Sequence, residues 1–214
     1  LFDSGGTTDD ASFIFGTEVP DMFLLRAAVA NDGLAFVAMI KPPVVPVLDT
    51  PDTHVERVNY RGALDSMKIF ALEGDDTFGI DDTRLNMEIY GGEDEDFFQI
   101  GQLFKSQRNP AAGIAFADVF ATIETTRGFL SNGISKAMKI FGGEDNDEFV
   151  VYHNLAPLAL FGNDGDDSFL IRAFALDGSQ EDLRERTDVS GDAGADLIQY
   201  AVNAPVNIDG GDGF

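Results

Sequence analysis

The chain of 214 residues contains no cysteine and no tryptophan, and it has only two histidines. Without cysteine, disulfides cannot hold the fold together. No run of 18 apolar residues occurs, so no transmembrane helix is predicted. The sequence also does not open with a signal peptide, which means little because we expect the chain to be an excerpt of a longer protein. The zinc motif His-Glu-x-x-His, the Gly-x-Ser-x-Gly elbow and the phosphate loop are also missing. The common metal-hydrolase, serine-hydrolase and nucleotide-binding motifs are therefore excluded.

Basic residues are scarce as well: 14 Lys and Arg face 38 Asp and Glu, for a formal net charge of −24. A bare surface with this charge would repel nucleic acid and anionic membranes, and it would destabilise its own compact state. Many of the acids lie in short turns instead of being spread along the chain. We therefore expect no nucleic-acid partner and no membrane insertion, and we expect bound cations as the counter-charge.

A short turn of glycine and acidic residues recurs six times. Large apolar residues stand two places before each turn and two and four places after its final Asp, in the alternation of half-buried strands. Position four of the turn is glycine or Asp, the residue types that tolerate a left-handed backbone. The turns occupy residues 71–76, 91–96, 142–147, 162–167, 191–196 and the incomplete 210–214.

The spacing of the turns predicts the fold. The closing aspartates stand at positions 76, 96, 147, 167 and 196, so they are separated by 20, 51, 20 and 29 residues. A period near 20 is typical of one coil of a solenoid. We predict an all-β parallel β-solenoid (β-helix or β-roll) in which Phe78 lies over Phe98 and Phe149 over Phe169.

The predicted organisation is one continuous domain. Residues 1–66 are assigned to irregular solenoid coils, and residues 67–214 to the cation-binding coils, with a loop insertion at about 102–135. The last turn stops one residue before its expected Asp, so we expect the natural chain to continue beyond Phe214.

The chemistry of the turns favours calcium. Ca²⁺ takes six to eight oxygen ligands from carboxylates and backbone carbonyls, and glycine turns expose their carbonyls. One turn supplies only a few oxygens, whereas two turns from adjacent coils together supply a full shell. We therefore predict that several Ca²⁺ ions bind between stacked turns.

Two of the turns carry a family resemblance. Gly162-Asn-Asp-Gly-Asp-Asp-Ser-Phe-Leu170 and Gly191-Asp-Ala-Gly-Ala-Asp-Leu-Ile-Gln199 resemble the nonapeptide Gly-Gly-x-Gly-x-Asp-x-apolar-x of the RTX, or hemolysin-type, calcium-binding repeat proteins. The resemblance implies parallel β-rolls with Ca²⁺ between successive turns, in secreted or cell-surface proteins that include large adhesins. It covers roughly residues 67–214.

The resemblance also implies the ligands. The closing residues Asp76, Asp96, Asp147, Asp167 and Asp196 would bind through their side chains. The other candidate ligands are Gly74, Asp75, Gly91, Glu93, Asp94, Gly142, Glu144, Asp145, Gly162, Asp164, Asp166, Gly191, Asp192, Gly210 and Asp212. Only one turn per coil is acidic, so we expect one row of ions, with Asp81 and Asp82 as the candidate site on the opposite side.

The function predicted from these features is structural. We expect a calcium-binding segment of a secreted or cell-surface repeat protein, stapled by Ca²⁺, whose partners are neighbouring coils of the same longer chain. One alternative is a subunit of a filament or surface layer that self-associates. Another is a calcium-dependent polysaccharide lyase or epimerase, using Arg127, Arg172, Lys105 and Asp118. The plainest alternative is a set of solvated turns without metal. His153 is expected to be an outward or end-of-strand residue, and the chain is not expected to be an enzyme.

Overall fold

The computed structural model describes residues 10–28, 34–40, 55–60, 64–102, 122–125, 128–172, 186–201 and 206–212. This part of the chain is all β, as predicted, and contains seventeen strands. They are β1 (Ala11–Phe15), β2 (Met22–Ala27), β3 (Ala35–Ile40), β4 (Val55–Tyr60), β5 (Ser66–Leu72), β6 (Thr77–Ile80), β7 (Asn86–Gly92), β8 (Phe97–Ile100), β9 (Thr122–Thr125), β10 (Gly128–Ser131), β11 (Met138–Gly143), β12 (Glu148–Val151), β13 (Leu158–Asp164), β14 (Ser168–Ile171), β15 (Thr187–Ala193), β16 (Leu197–Tyr200) and β17 (Val206–Asp209).

Two large sheets enclose one apolar core. The first has seven strands in the order β1-β5-β7-β11-β13-β15-β17, all of them parallel. The second has eight strands in the order β16-β14-β12-β8-β6-β2-β3-β4. The five complete glycine–aspartate turns carry the chain from a strand of the first sheet to a strand of the second. These turns therefore lie along the same edge of the two-sheet sandwich.

Period-two alternation builds the core, because successive residues of a strand point to opposite faces. In β5, Met67, Ile69 and Ala71 are fully buried, whereas the residues between them are half-buried. The same pattern recurs in β7 and β13. The inward side chains of both sheets form a single hydrophobic cluster.

The predicted parallel β-solenoid is wrong. The second sheet is mixed, because β3 pairs antiparallel with both β2 and β4, and the molecule is a sandwich of two open sheets. The assignment of residues 1–66 to irregular solenoid coils fails in particular, because β3 and β4 extend the second sheet by antiparallel pairing. Only residues 28–34 join β2 to β3, whereas a parallel pairing needs a crossover of about a dozen or more residues. The chain therefore folds back beside β2.

The predicted phenylalanine column is confirmed and is longer than expected. Phe78 stacks on Phe98 with ring centroids 4.9 Å apart, and Phe149 stacks on Phe169 at 4.7 Å. Phe98 also stacks on Phe149 at 4.9 Å, although 51 residues separate them, and Phe23 extends the column at its other end. The residues inserted between β8 and β11 therefore leave the packing of the core unbroken.

The outer face of the seven-stranded sheet has a second aromatic column, which the sequence analysis did not predict. Phe15, Phe70, Tyr90, Phe141 and Phe161 stack in turn, with centroids 4.8 to 5.3 Å apart. Within the predicted insertion at about 102–135, β9 and β10 form an antiparallel hairpin. No described segment forms a helix with the length and hydropathy of a membrane span.

Candidate metal centre

The closing aspartates form a ladder of hydrogen bonds along the edge of the sandwich. In each step, Oδ1 of one aspartate accepts a hydrogen bond from the backbone N–H of the closing aspartate in the preceding turn. The donor–acceptor pairs are Asp76 to Asp96 at 2.9 Å, Asp96 to Asp147 at 2.9 Å, Asp147 to Asp167 at 2.8 Å and Asp167 to Asp196 at 2.9 Å. One carboxylate oxygen of each residue thus ties two turns together.

The second carboxylate oxygen of every ladder aspartate has no such partner. Oδ2 of Asp76, Asp96, Asp147, Asp167 and Asp196 is buried, and no described residue donates a hydrogen bond to it. The first four of these residues are only 1–2% exposed. A buried carboxylate oxygen without a donor is costly, so each such atom in a native fold calls for a proton, a water molecule or a cation.

These oxygens face the bare side of a glycine. A methyl group placed on Gly91 would lie 2.0 Å from Asp96 Oδ2 and 2.4 Å from the carbonyl oxygen of Gly142 in the next turn. Gly142, Gly162 and Gly191 have the same two kinds of neighbour, at 1.9 to 2.2 Å from the carboxylate oxygen and 2.6 to 2.9 Å from the carbonyl oxygen. We call this space the glycine cradle. It recurs at Gly91, Gly142, Gly162 and Gly191.

The electrostatics of the ladder disfavour bare carboxylates. Burial, with a further contribution from neighbouring carboxylates, raises the pKa of Asp96 to about 8. The same causes raise the pKa of Asp76 and Asp147 to about 7 and that of Asp167 to about 6. A nearby cation would relieve both the burial of negative charge and the repulsion along the row.

The donor set of the cradle fits calcium. Carboxylate and carbonyl oxygens are the hard ligands that Ca²⁺ prefers, and the cradle presents one of each from two successive turns. Among the described residues, no three Asp, Glu or His side chains converge on one point. An ion held there would therefore take one carboxylate oxygen from the closing aspartate and its other ligands from backbone carbonyls and water.

The remaining acids predicted as ligands lie outside the cradles. The side chains of Asp75, Glu93, Asp94, Glu144, Asp145, Asp164, Asp166 and Asp212 are exposed at the surface of the turns, and Asp192 is half-buried. Some of them join turns directly: Asp94 Oδ2 accepts from the Gly74 N–H at 3.0 Å, and Asp166 Oδ1 accepts from the Ala195 N–H at 2.8 Å. Gly210, in the last turn, contributes its carbonyl oxygen to the Gly191 cradle.

Position four of the turn has the predicted left-handed backbone. Asp94 and Asp145 adopt φ of 75° and 71°, and Gly74, Gly165 and Gly194 adopt φ of 103° to 140°. Asp is among the few non-glycine residues that tolerate this region. The change from glycine to Asp therefore leaves the turn geometry intact.

The candidate on the opposite side, Asp81 and Asp82, is engaged by protein groups. Asp81 pairs with the Arg26 guanidinium at 2.5 Å. Asp82 accepts hydrogen bonds from Ser135 Oγ at 2.7 Å and Asn132 Nδ2 at 2.8 Å. These carboxylates link neighbouring segments of the chain, and their contacts give no indication of a metal site.

The side chains considered for catalysis do not form a site. His153 stands two residues after the end of β12, which agrees with the end-of-strand half of its prediction, but it is 2% exposed and does not point outward. Its Nδ1 lies 2.8 Å from the Ser131 carbonyl oxygen. Arg172 is exposed, and Arg127, Lys105 and Asp118 lie outside the described residues.

The structure adds one complete turn at residues 16–21, for which the sequence shows the closing Asp-x-Phe of the other turns at Asp21 and Phe23. Asp21 is 3% exposed, and its N–H donates to Asp76 Oδ1 at 2.6 Å, which extends the ladder by one step. Oδ2 of Asp21 accepts two hydrogen bonds from Thr17. The available signal was the spacing from Gly16 through Asp21 to Phe23, which matches the first, sixth and eighth positions of the other turns.

Comparison of the chain with protein-family models, curated proteins and solved structures found no match.

Proposed function

We propose that this chain is a calcium-binding structural module of a secreted or cell-surface repeat protein, and not an enzyme. Ca²⁺ ions bind in the row of glycine cradles and link successive turns along one edge of the two-sheet sandwich. The hemolysin-type repeats that the turns resemble supply the analogy for both the metal and the extracellular setting. The role is mechanical, as in a rigid stalk or a matrix component.

One observation carries the proposal. At each of four successive cradles, a buried aspartate oxygen without a donor and a backbone carbonyl of the next turn face the same point. Solvated acidic turns would instead direct their carboxylates into water, as Glu93 and Glu144 do. The repetition of a costly arrangement at equivalent positions favours a common ligand over surface charge.

Binding at these cradles couples calcium to folding. Each cradle is made of two turns that meet only in the folded chain, so the free energy of binding adds to the free energy of folding. Extracellular calcium modules typically have dissociation constants of about 10⁻⁴–10⁻³ M. At the low calcium levels of a cytoplasm the ladder would repel itself, whereas at millimolar calcium the module would be stable.

A thermal melt followed by circular dichroism tests the proposal. The chain is measured with a chelator and again after calcium is restored to about 10 mM, well above the range of dissociation constants expected for such modules. We expect calcium to raise the melting temperature and to sharpen the transition. Identical melts in the two conditions would refute calcium binding, and the acidic turns would then be ordinary surface charge.

A second candidate function is self-assembly, which the outermost strands favour. Phe13 and Phe15 on β1 are 55% and 60% exposed, and Leu197 and Tyr200 on β16 are 54% and 55% exposed. Strands at the edge of a sheet offer unpaired backbone groups to another chain. Sedimentation in calcium would separate the two functions, because a filament or surface-layer subunit should associate with rising concentration and a single structural module should not.

A further inference from the structure

We propose that the turn at 71–76 contains a latent calcium site, which the methyl group of Ala71 keeps closed. The inference rests on the proposed function, since it concerns which of the turns can hold the ion. It predicts that replacing Ala71 with glycine creates one additional calcium site. The same reasoning predicts that adding a methyl group at Gly91 removes one calcium site.

The register of the sheet makes Ala71 the counterpart of the cradle glycines. In the pairing of β5 with β7, Phe70 lies opposite Tyr90 and Leu72 opposite Gly92, which places Ala71 beside Gly91. The pairing of β7 with β11 aligns Gly92 with Gly143 in the same way, so Gly91 lies beside Gly142. Ala71 therefore occupies the first turn position, where the four cradles have glycine.

The carboxylate of the latent site has the same features as the carboxylates of the cradles. Asp76 is 1% exposed, its Oδ1 accepts a hydrogen bond from the Asp21 N–H, and its Oδ2 is buried without a donor among the described residues. Its own N–H donates to Asp96 Oδ1 at 2.9 Å. The carboxylate of the latent site is therefore held by the ladder as in the other turns.

The side chain at the first position makes the difference. At the four cradles an added Cβ would lie 1.9 to 2.2 Å from the carboxylate oxygen, far inside the normal carbon–oxygen contact distance. A Cβ atom and an oxygen atom cannot lie this close together. A methyl group at the first turn position therefore displaces the aspartate and carbonyl oxygens that would otherwise face the same point. Ala71 has this methyl group, and the residue is fully buried, so the methyl group cannot turn into solvent. A cation at this turn would need the space that the methyl group fills.

The decisive measurement is the number of calcium ions bound by the folded chain, determined by equilibrium dialysis and by calorimetric titration of chelator-treated protein. We expect Ala71→Gly to bind one ion more than the native chain and Gly91→Ala to bind one fewer. Gly91 has no positive φ, so alanine suits its backbone and tests the cradle alone. Circular dichroism in saturating calcium verifies that each variant is folded.

Asp76→Asn completes the test and remains informative if Ala71→Gly does not fold. In the native background, Asp76→Asn should leave the number of bound ions unchanged, because the latent site holds none. In the Ala71→Gly background, it should remove the added ion. An unchanged ion count in folded Ala71→Gly, or a lost ion in Asp76→Asn alone, would overturn the inference. A native chain that binds no calcium at all would instead refute the proposed function.

Discussion

Replacing Asp147 with asparagine separates the two roles of its carboxylate, because the two oxygens have different partners. Oδ1 accepts the hydrogen bond from the Asp96 N–H at 2.9 Å, and the amide oxygen of asparagine can keep it. Oδ2 faces the bare side of Gly142, and an amide NH₂ in its place cannot ligate a cation. The variant therefore retains the ladder and loses the cradle.

The expected effect has opposite signs with and without calcium. Burial raises the pKa of Asp147 from 3.8 to about 7, and at about 1.4 kcal/mol per pKa unit the charged form costs up to roughly 4 kcal/mol at pH 8. Metal-free Asp147→Asn escapes this cost and should be more stable than the metal-free native chain. Calcium at about 10 mM stabilises each native site by about 1.4–2.7 kcal/mol for dissociation constants of about 10⁻⁴–10⁻³ M. Asp147→Asn should lose this stabilisation by calcium at one site.

Urea unfolding at pH 8, followed by circular dichroism in chelator and in calcium, measures both effects. Glu148→Gln is the matched control, since it removes a negative charge from the adjacent, exposed residue of β12. The control should show the same gain from calcium as the native chain. If Asp147→Asn also gained as much from calcium as the native chain, Asp147 would not be a ligand. If it were less stable than the native chain without metal, the argument from buried charge would be wrong.

Three further predictions concern acid, the core and a strained turn. In chelator, lowering the pH from 8 to 5 should raise the melting temperature. The pKa of Asp96 is raised to about 8 in the folded chain, which therefore binds more protons than the unfolded chain over this range. A melting temperature that falls with pH would contradict this prediction. Phe98→Ala should lower the free energy of unfolding by about 3–5 kcal/mol in urea, since its fully buried ring stacks on two others, and a loss under 1 kcal/mol would contradict a continuous column. Leu72→Gly should raise the free energy of unfolding by about 1 kcal/mol, because Leu72 holds φ of 91° at a position where Gly92 and Gly143 stand in other turns. A lower urea midpoint for this variant would show that the backbone of Leu72 is not strained.

The local features of the fold could be predicted because each of them repeats in the sequence. The apolar residue two places after each closing aspartate predicted the phenylalanine column, and the left-handed backbone at Asp94 follows from its glycine counterparts. A pattern that fixes local geometry in one copy fixes it in all copies. The prediction therefore succeeded wherever a turn and its two strands decide the conformation.

The predictions that failed concern features that depend on contacts outside the repeat. The antiparallel β3 follows a chain segment with Asn-Asp-Gly at residues 31–33, a hairpin signal that was overlooked because the strands on either side looked like further coils. The outer aromatic column was missed because Tyr90 and its neighbours occupy positions expected to face water. Only the Asp-x-Phe ending of the turn at 16–21 stands out in the sequence, because Val19 occupies position four, where the other turns have glycine or Asp.

Magnesium distinguishes site binding from general screening of the charge of −24. Both divalent ions screen surface charge equally, but Mg²⁺ demands near-octahedral geometry at 2.0–2.1 Å and gives up its water reluctantly, whereas Ca²⁺ accepts six to eight oxygens in flexible geometry. A cradle that offers one buried carboxylate oxygen and backbone carbonyls suits Ca²⁺ and not Mg²⁺. We therefore expect calcium at about 10 mM to raise the melting temperature well above its value in magnesium at the same concentration, for the range of affinities typical of such modules. Equal melting temperatures in the two ions would mean that screening, and not the row of buried aspartate oxygens, accounts for the stabilisation.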